Sequence, residues 1–278
     1  MNTIKTTMLL AVLTGILVSI GYSYGGKNVA IMALVFAGLM NFGMFWFSDK
    51  IVLKMYKARP VGPSDSPRLY NMVERLAQDA RMPMPSVYII PNPSPNAFAT
   101  GRSPSRAAVA ATDGIMKLLN DQELEAVMAH ELAHVKNRDT LISTLAATLG
   151  GAITFIARMM MFSGGRRGGS RGGGWGALLA LILAPIAAMI IQMAVSRRRE
   201  YMADATGARM CKNPNALASA LQRLQSGIAA SPMSEDTANP ATSHMFIVNP
   251  FRGSAMFKLF STHPPMEERV ERLRSMKL

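Results

Sequence analysis

The stretch AHELAH at residues 129–134 decides how the rest of the chain is interpreted. On a helix, residues four apart lie on one face, so the imidazoles of His130 and His134 can bind one zinc ion together. Glu131 is offset on the same turn, where it can accept a proton from a metal-activated water without being a ligand. The alternative is a chance match between two surface histidines. Since the chain has only 4 His, chance seldom produces this pattern, and the motif predicts a hydrolytic zinc site.

Four apolar runs of about 20 residues flank this motif, at 4–24, 28–47, 141–162 and 175–195. Each is long enough to cross a hydrocarbon core of about 30 Å. The first run lacks a small-x-small cleavage site and a second run follows at once, which favours an uncleaved hairpin over a signal peptide. With 49% hydrophobic residues, the chain is predicted to be an α-helical integral membrane protein with four transmembrane helices in two hairpins.

The runs divide the chain into four parts. We expect a transmembrane hairpin at 1–48, a first catalytic part at 49–140, a second hairpin at 141–195 and a second catalytic part at 196–278. The second hairpin contains a Gly- and Arg-rich loop at 163–174, which leaves the depth of its two spans open. The two catalytic parts are expected to form one α+β, zincin-like domain.

The positive charge of the chain lies mainly beside the apolar runs. A net charge of +13 invites a nucleic-acid partner, but the basic residues suit anionic lipid head groups, and we expect no nucleic acid. Ten basic residues near the predicted membrane ends fall on one side and four on the other, which predicts that the termini and both catalytic parts are cytoplasmic. The ten are Lys5, Lys50, Lys54, Lys57, Arg59, Lys136, Arg138, Arg197, Arg198 and Arg199, and the four are Lys27, Arg166, Arg167 and Arg171.

The first catalytic part has local signals for both helices and strands. Apolar residues recur at helical spacing after Ser66-Pro67, a typical N-terminus. Continuous or alternating apolar residues predict strands at 86–91, 96–100 and 107–112. Asn120 and Glu123 form a capping-box pattern at the start of the helix that carries the two histidines.

A catalytic zinc needs a third protein ligand, and Glu200 is the candidate. His134 lies about six residues before the third apolar run and Glu200 about five after the fourth, so both stand at a similar height over one membrane face. Asp204 lies one turn further along the same helix face and could orient a ligating imidazole. The alternative is a helix beside the membrane whose two carboxylates pair with neighbouring arginines.

Two further histidines have different surroundings. His263 precedes a Pro pair at the start of a predicted helix, where it is either an ordinary loop residue or the group that stabilises an oxyanion. His244 has no such context and is interpreted as structural. The lone Cys211 excludes an intramolecular disulfide and a cysteine-rich zinc cluster.

Four groups of residues resemble the HtpX family of bacterial membrane-bound zinc metalloproteases, a CAAX-prenyl protease-like family, over nearly the whole chain. They are Asn96-Ala97-Phe98-Ala99 after Pro95, the His130 to His134 motif ending in Asn137-Arg138-Asp139, Ser196-Arg197-Arg198-Arg199-Glu200 through Asp204, and Thr262-His263-Pro264-Pro265 with Arg269.

The resemblance implies one zinc ion per chain, bound by His130, His134 and Glu200, with Glu131 as the general base. Asp139 joins Asp204 as an orienting carboxylate. It also implies a multi-pass protein of the bacterial inner membrane whose active site faces the cytoplasm. Its role would be the quality control of misfolded or damaged membrane proteins during stress, alongside an AAA membrane protease.

From this set we expect peptide hydrolysis, with His263 assisting the oxyanion. Asn96, Ala97, Phe98 and Ala99 would bind an extended polypeptide by adding its backbone to an open sheet edge. The alternatives are a membrane transporter, disfavoured because the four runs contain no Asp or Glu, and a catalytically inactive membrane scaffold, disfavoured by the intact set of candidate ligands.

Overall fold

The computed structural model describes residues 2–148, 197–233, 240–249 and 264–278. Within these ranges the helices are α1 (Asn2–Met55), α2 (Pro67–Asp79), α3 (Asp113–Leu118), α4 (Asp121–Lys136), α5 (140–148), α6 (Arg197–Met210), α7 (Pro214–Ala230) and α8 (Met266–Arg274). The strands are β1 (Arg59–Pro60), β2 (Ser86–Ile90), β3 (Ala97–Gly101) and β4 (Ala107–Thr112). Short 3₁₀ turns lie at Pro104–Arg106 and Pro240–Met245.

The long helix α1 is a hairpin of two helices and not one straight rod. Gly25 and Gly26 at its centre leave helical geometry, and Gly26 has a φ of 62°, a conformation that favours glycine. The Asn41 side chain donates to the Thr14 hydroxyl at 2.9 Å, although 27 residues separate them. A straight helix would put these residues about 40 Å apart. The two arms therefore lie side by side, as the sequence predicts for 4–24 and 28–47.

The second arm of the hairpin has the properties of a membrane helix. Among the described residues, one stretch, Gly25–Gly43, is long and apolar enough to cross a bilayer, and only 6% of its best window is buried. Large apolar side chains such as Val35, Leu39 and Phe42 are exposed on it, which is typical of contact with lipid. The spans predicted at 141–162 and 175–195 fall outside the described residues except for 141–148, so the count of four stays a prediction.

The second arm also continues beyond the boundary predicted at residue 48. Its final turns carry Val52 and Leu53, which are buried, and Tyr56 follows directly after the helix. The Tyr56 ring lies 5.8 Å from the Phe98 ring and 5.1 Å from the Phe246 ring, centroid to centroid. The apolar pattern extends past the predicted boundary because this end of the hairpin packs against Phe98 and Phe246.

A four-stranded mixed sheet supports the site, in the order β1-β2-β4-β3. β2 and β4 are parallel, whereas β1 and β3 pair antiparallel with their neighbours. β4 is buried throughout because helices cover one face of the sheet and the end of α1 covers the other. Small residues fill β3 and β4, with Ala97 opposite Ala111 and Ala99 opposite Val109. The observed strands agree with the three predicted ones to within one residue.

Helix α4 lies at the centre of the described part of the chain that follows the hairpin. Its side chains Leu124, Val127, Met128 and Leu132 are completely buried in a core shared with α2, α7, α8 and one sheet face. Burial of four large apolar side chains stabilises the fold by about 6–12 kcal/mol before entropy is subtracted. The motif histidines are therefore carried by the most enclosed helix of this part.

Candidate active site

The start of α4 is fixed by the predicted capping box. The Asn120 side chain accepts from the Glu123 N–H at 2.9 Å, and the Glu123 carboxylate accepts from the Asn120 N–H at 3.1 Å. Two backbone donors that would otherwise lack helical partners are thus satisfied. The helix then runs to Lys136, so His130 and His134 project from one face with their ring centroids 4.8 Å apart.

Helix α6 approaches α4 closely at Gly207. A Cβ atom at this position would lie 2.8 Å from both the backbone N and the Cα of His130, closer than ordinary Cβ contacts allow. Glu200 and Asp204 lie on the face of α6 that packs against α4, because they precede Gly207 by seven and three residues. The absence of a side chain at Gly207 therefore lets both carboxylates reach the histidines.

The ligand atoms of His130, His134 and Glu200 come together in one cluster. The Nε2 atoms of the two histidines are 3.2 Å apart. The Glu200 carboxylate lies 3.6 Å from His134 Nε2 and 3.9 Å from His130 Nε2. All three ligand atoms lie within 4.8 Å of one another.

This donor set fits a tetrahedral metal ion such as zinc. Bonds of about 2.0–2.1 Å from a tetrahedral centre separate neighbouring ligand atoms by about 3.3 Å, close to the spacings of this cluster. Two neutral imidazoles whose Nε2 lone pairs face each other at 3.2 Å would repel unless a cation or a proton lay between them. Imidazole nitrogen and carboxylate oxygen are ligands that zinc accepts.

Each of the two histidines has a carboxylate behind its other ring nitrogen. His130 Nδ1 lies 2.9 Å from Asp204 Oδ1, and His134 Nδ1 lies 3.4 Å from Asp139 Oδ2. Such partners fix the tautomer and orientation of a ligating imidazole and increase its basicity. The described structure thus brings Asp204 and Asp139 to the positions expected of orienting groups.

Arg269 of α8 holds Asp204 in place from a fully buried position. Its guanidinium donates to both Asp204 oxygens, at 2.9 and 2.7 Å. Burial alone would raise the pKa of Asp204, but the Arg269 charge and hydrogen bonds hold it at about 2. Burial also lowers the pKa of His130, which favours the neutral imidazole that binds metal.

Glu131 is buried beside the cluster, next to the backbone N–H of Ala99 on β3, which works to lower the pKa of Glu131. Its burial, and the neighbouring Glu200 charge, raise the pKa of Glu131 to about 8 against the lowering effect of His134. Burial works to lower the pKa of His134, but Asp139, Glu200 and Glu131 raise it to about 9. A carboxyl group with a pKa near neutrality is suited to accept and return a proton.

Residues 244–248, here called the cleft segment, cover the cavity beside this cluster. The cavity has a volume of about 30 Å³ and is lined by the three candidate ligands, Glu131, Ala99 and the side of α5, with the cleft segment opposite. Ile247 N–H donates to the Ala97 carbonyl at 3.2 Å, and the Asn96 side chain donates to the Val248 carbonyl at 2.7 Å. The sheet edge that the sequence leads us to expect as open is therefore covered, because the chain returns to it about 150 residues later.

The other predicted site residues have varied surroundings. The backbone groups of Ala97 and Ala99 point away from β4, towards the outer edge of the sheet. The Phe98 side chain packs beside Tyr56, on the sheet face that the end of α1 covers. His263 lies outside the described residues. His244, interpreted from sequence as structural, lines the cavity, and its Nε2 lies 3.0 Å from the Ser143 carbonyl.

The resemblance includes Arg269, but the sequence analysis gives this residue no role. A sequence signal for its burial exists: it falls between Met266 and Leu273 on the inward stripe of α8, where a charged residue indicates a buried partner. For the position of His244 we find no local signal.

Comparison with known proteins identifies the family of this chain. The family described as "Peptidase family M48" matches residues 63–277. A "Protease HtpX homolog" of Thermodesulfovibrio yellowstonii is 54% identical, and the alignment covers 99% of both chains. Proteins of the same description are 52% identical in Desulforapulum autotrophicum, over 98% of this chain and 89% of that one, and 52% in Pyrococcus furiosus, over 98% and 95%.

One solved structure, the crystal structure of S. mikatae Ste24p, resembles the chain with a TM-score of 0.49 and 17% sequence identity. The match covers 98% of this chain and 65% of that chain, so this chain spans about two thirds of that protein.

Proposed function

The chain belongs to peptidase family M48 and is a metallopeptidase, and on that premise we propose that it is a membrane-bound zinc endopeptidase. The observation that carries the proposal is the convergence of His130, His134 and Glu200 within 4.8 Å, with Glu131 buried beside them. These residues come from two helices separated by more than 60 positions in sequence.

His130, His134 and Glu200 would hold one zinc ion, and Asp204 and Asp139 would orient the two imidazoles. When bound, zinc would polarise a peptide carbonyl and acidify a water molecule at this site. Glu131 accepts the proton of the attacking water and then delivers it to the leaving amine. The Glu131 carboxylate lies next to the backbone N–H of Ala99 on β3, where a polypeptide backbone would lie.

His263 is proposed to stabilise the negative charge that develops on the peptide oxygen. The support is its position directly before Pro264, which leads into α8, the helix that brings Arg269 to the cluster. An imidazolium can supply this stabilisation from outside the metal ligands.

The substrates are proposed to be polypeptides, including misfolded membrane proteins of the bacterial inner membrane. The exposed apolar arm of α1 supports attachment to the bilayer, and its far end packs directly on the catalytic part. Cytoplasmic orientation follows from the excess of basic residues on the side of the catalytic parts. Four spans and work alongside an AAA membrane protease are further parts of this proposal.

Substitution of Glu131 tests the function directly. Glu131→Gln keeps the shape of the side chain and leaves the proposed ligands intact, but it removes the base. We expect hydrolysis of an unfolded polypeptide such as casein to fall about 10²–10⁴-fold, with zinc content unchanged. The measurement combines detergent-solubilised, zinc-loaded full-length protein, a fluorogenic casein assay and metal analysis.

Glu125→Gln is the matched control, because Glu125 lies on the same helix and pairs with Arg75 at the surface. It should retain parental activity and metal content. Near-parental hydrolysis by Glu131→Gln would contradict the role of Glu131 as base. A parental protein that binds no metal and hydrolyses nothing would favour a scaffold or transporter.

A further inference from the structure

The outer side of β3 is occupied by the chain itself. In an antiparallel strand, alternate residues direct both backbone groups to the same side. Asn96 directs its carbonyl to Thr112 of β4, so Ala97 and Ala99 direct theirs outward. The outward carbonyl of Ala97 accepts from Ile247, and the outward N–H of Ala99 lies next to Glu131. The outer bond of Ala97 is one that an added strand would otherwise make.

Three of the four main-chain groups of Ile247 and Val248 are bonded to the site. Besides the bond from Ile247 N–H to Ala97, the Ile247 carbonyl accepts from Arg269 at 3.1 Å. The Val248 carbonyl accepts from the Asn96 side chain at 2.7 Å. These groups would bind any extended peptide in the same place, because they recognise only its backbone.

The remaining space excludes a second peptide. A cavity of about 30 Å³ beside the histidines has room for about two water molecules and not for a polypeptide. The cleft segment forms one wall of that cavity. A substrate strand and residues 247–248 therefore cannot lie on β3 at the same time.

Neighbouring contacts hold the cleft segment close to the site even when its strand contacts break. The Phe246 ring is completely buried between Tyr56 and Phe98, at 5.1 and 5.4 Å between centroids. Thr242 is hydrogen-bonded to the Tyr56 hydroxyl. This anchor gives residues 247–248 a high effective concentration at β3.

We propose that residues 247–248 are an internal competitor that occupies the place of the substrate strand and must leave it before a polypeptide binds. The inference rests on the proposed function. Release is local: the backbone bonds to Ala97, Asn96 and Arg269 are exchanged for the same bonds to substrate, while Phe246 stays in its aromatic cluster. The structure is thus the inhibited form of the enzyme.

Hydrogen exchange of full-length, zinc-loaded Glu131→Gln protein in detergent tests this exchange of strands. Without substrate, the Ile247 amide should be protected by its bond to Ala97. Saturating casein should increase its exchange at least severalfold, while amides in α4 stay unchanged. Undiminished protection of Ile247 with casein bound would overturn the proposal, because substrate would then bind without displacing the segment.

A pair of substitutions at one position provides a kinetic test. Ile247→Pro removes the N–H that bonds to Ala97. Ile247→Ala keeps the N–H and loses a similar amount of side-chain packing. Loss of one hydrogen bond of the internal strand should lower the apparent KM for casein of the Pro variant about two- to tenfold below that of the Ala variant. Equal KM values for two folded variants would contradict the proposal.

The two proposals fail in different ways. Absence of zinc-dependent hydrolysis by the parental protein would reject the proposed function. Zinc-dependent hydrolysis with an Ile247 amide that casein does not release would reject only the internal competitor. If the Pro variant does not fold, the exchange experiment on the protein with the native cleft segment still decides the question.

Discussion

At the scale of single residues, the candidate site consists of three proposed metal ligands and the carboxylates that orient two of them. Three groups direct their ligand atoms to one point, and behind the two imidazoles stand Asp204 and Asp139. Arg269 donates to Asp204 and also lies 3.9 Å from the Glu200 carboxylate. The two orienting carboxylates are therefore not equivalent, since removal of Asp204 also leaves a buried guanidinium without its main partner.

This difference determines which substitutions isolate metal binding. Glu200→Ala should remove most of the bound zinc, because two histidines fall short of the three protein ligands of a catalytic site. Asp139→Asn should weaken zinc binding about 10–100-fold with the fold intact. Asp204→Asn should weaken binding and also cost about 3–5 kcal/mol of stability through Arg269. Zinc titration and thermal unfolding of each variant measure both effects.

The control for this series is again Glu125→Gln, a surface change on α4 that should alter neither quantity. Full zinc occupancy in Glu200→Ala would show that another group completes the site. Equal stability losses in the Asp139 and Asp204 variants would show that the Arg269 pair contributes little to the fold.

At the scale of elements, the closeness of α6 to α4 at Gly207 sets the position of Glu200 and Asp204. Gly207→Ala should force the helices apart, because the new methyl group would meet backbone atoms of His130 that cannot rotate away. Alanine favours a helix by about 1 kcal/mol over glycine, but overpacking costs about 1–3 kcal/mol. We therefore expect a lower melting temperature and weaker zinc binding, measured on purified protein in detergent.

Met202→Ala on the exposed face of α6 is the control and should preserve zinc affinity. A Gly207→Ala protein that melts higher than the parent and binds zinc equally well would show that the helices have room to separate without cost.

Local elements could be predicted from the sequence because their signals are local. The capping box at Asn120, the i and i+4 placement of the histidines and the strand at 107–112 each depend on a few neighbouring residues. The approach of Glu200 could also be predicted, since a predicted pair of membrane spans returns the chain to the face that it left. In the structure, the Glu200 carboxylate lies 3.6 Å from His134 Nε2.

The covering of β3 could not be predicted in this way. Ile247 and Ala97 are joined by a backbone bond, and a backbone bond leaves no mark in the types of the two residues. Their separation of 150 positions places the contact beyond any periodic pattern. The role of Phe246 is similar, because one apolar residue in an irregular segment does not indicate which aromatic rings it contacts.

At the scale of the whole molecule, proton binding at the site affects the stability of the metal-free protein. The folded-state pKa values of Glu131, about 8, and His134, about 9, both exceed the ordinary values of 4.5 and 6.5. The folded protein therefore binds more protons than the unfolded chain between these limits. From about pH 6 to about pH 9, the free energy of unfolding contributed by these groups should fall.

Zinc bound at the proposed site would displace the proton of His134, so the stabilisation by zinc should grow over the same interval. Thermal unfolding in detergent at several pH values, with zinc and with a chelator, measures the two trends. A melting temperature of the chelated protein that rises steadily from pH 6 to pH 9 would contradict the assignment of the raised pKa values.

The cleft segment contacts the site through the main-chain atoms of Ile247 and Val248. Hydrogen bonds to main-chain atoms do not depend on the identity of the side chains. A site that binds through them therefore selects polypeptides that contain a segment free to extend. We expect unfolded proteins of unrelated sequence to be cut at comparable rates and their compact native forms to resist, measured by parallel digestion. Such an enzyme would select its substrates by conformation and not by sequence.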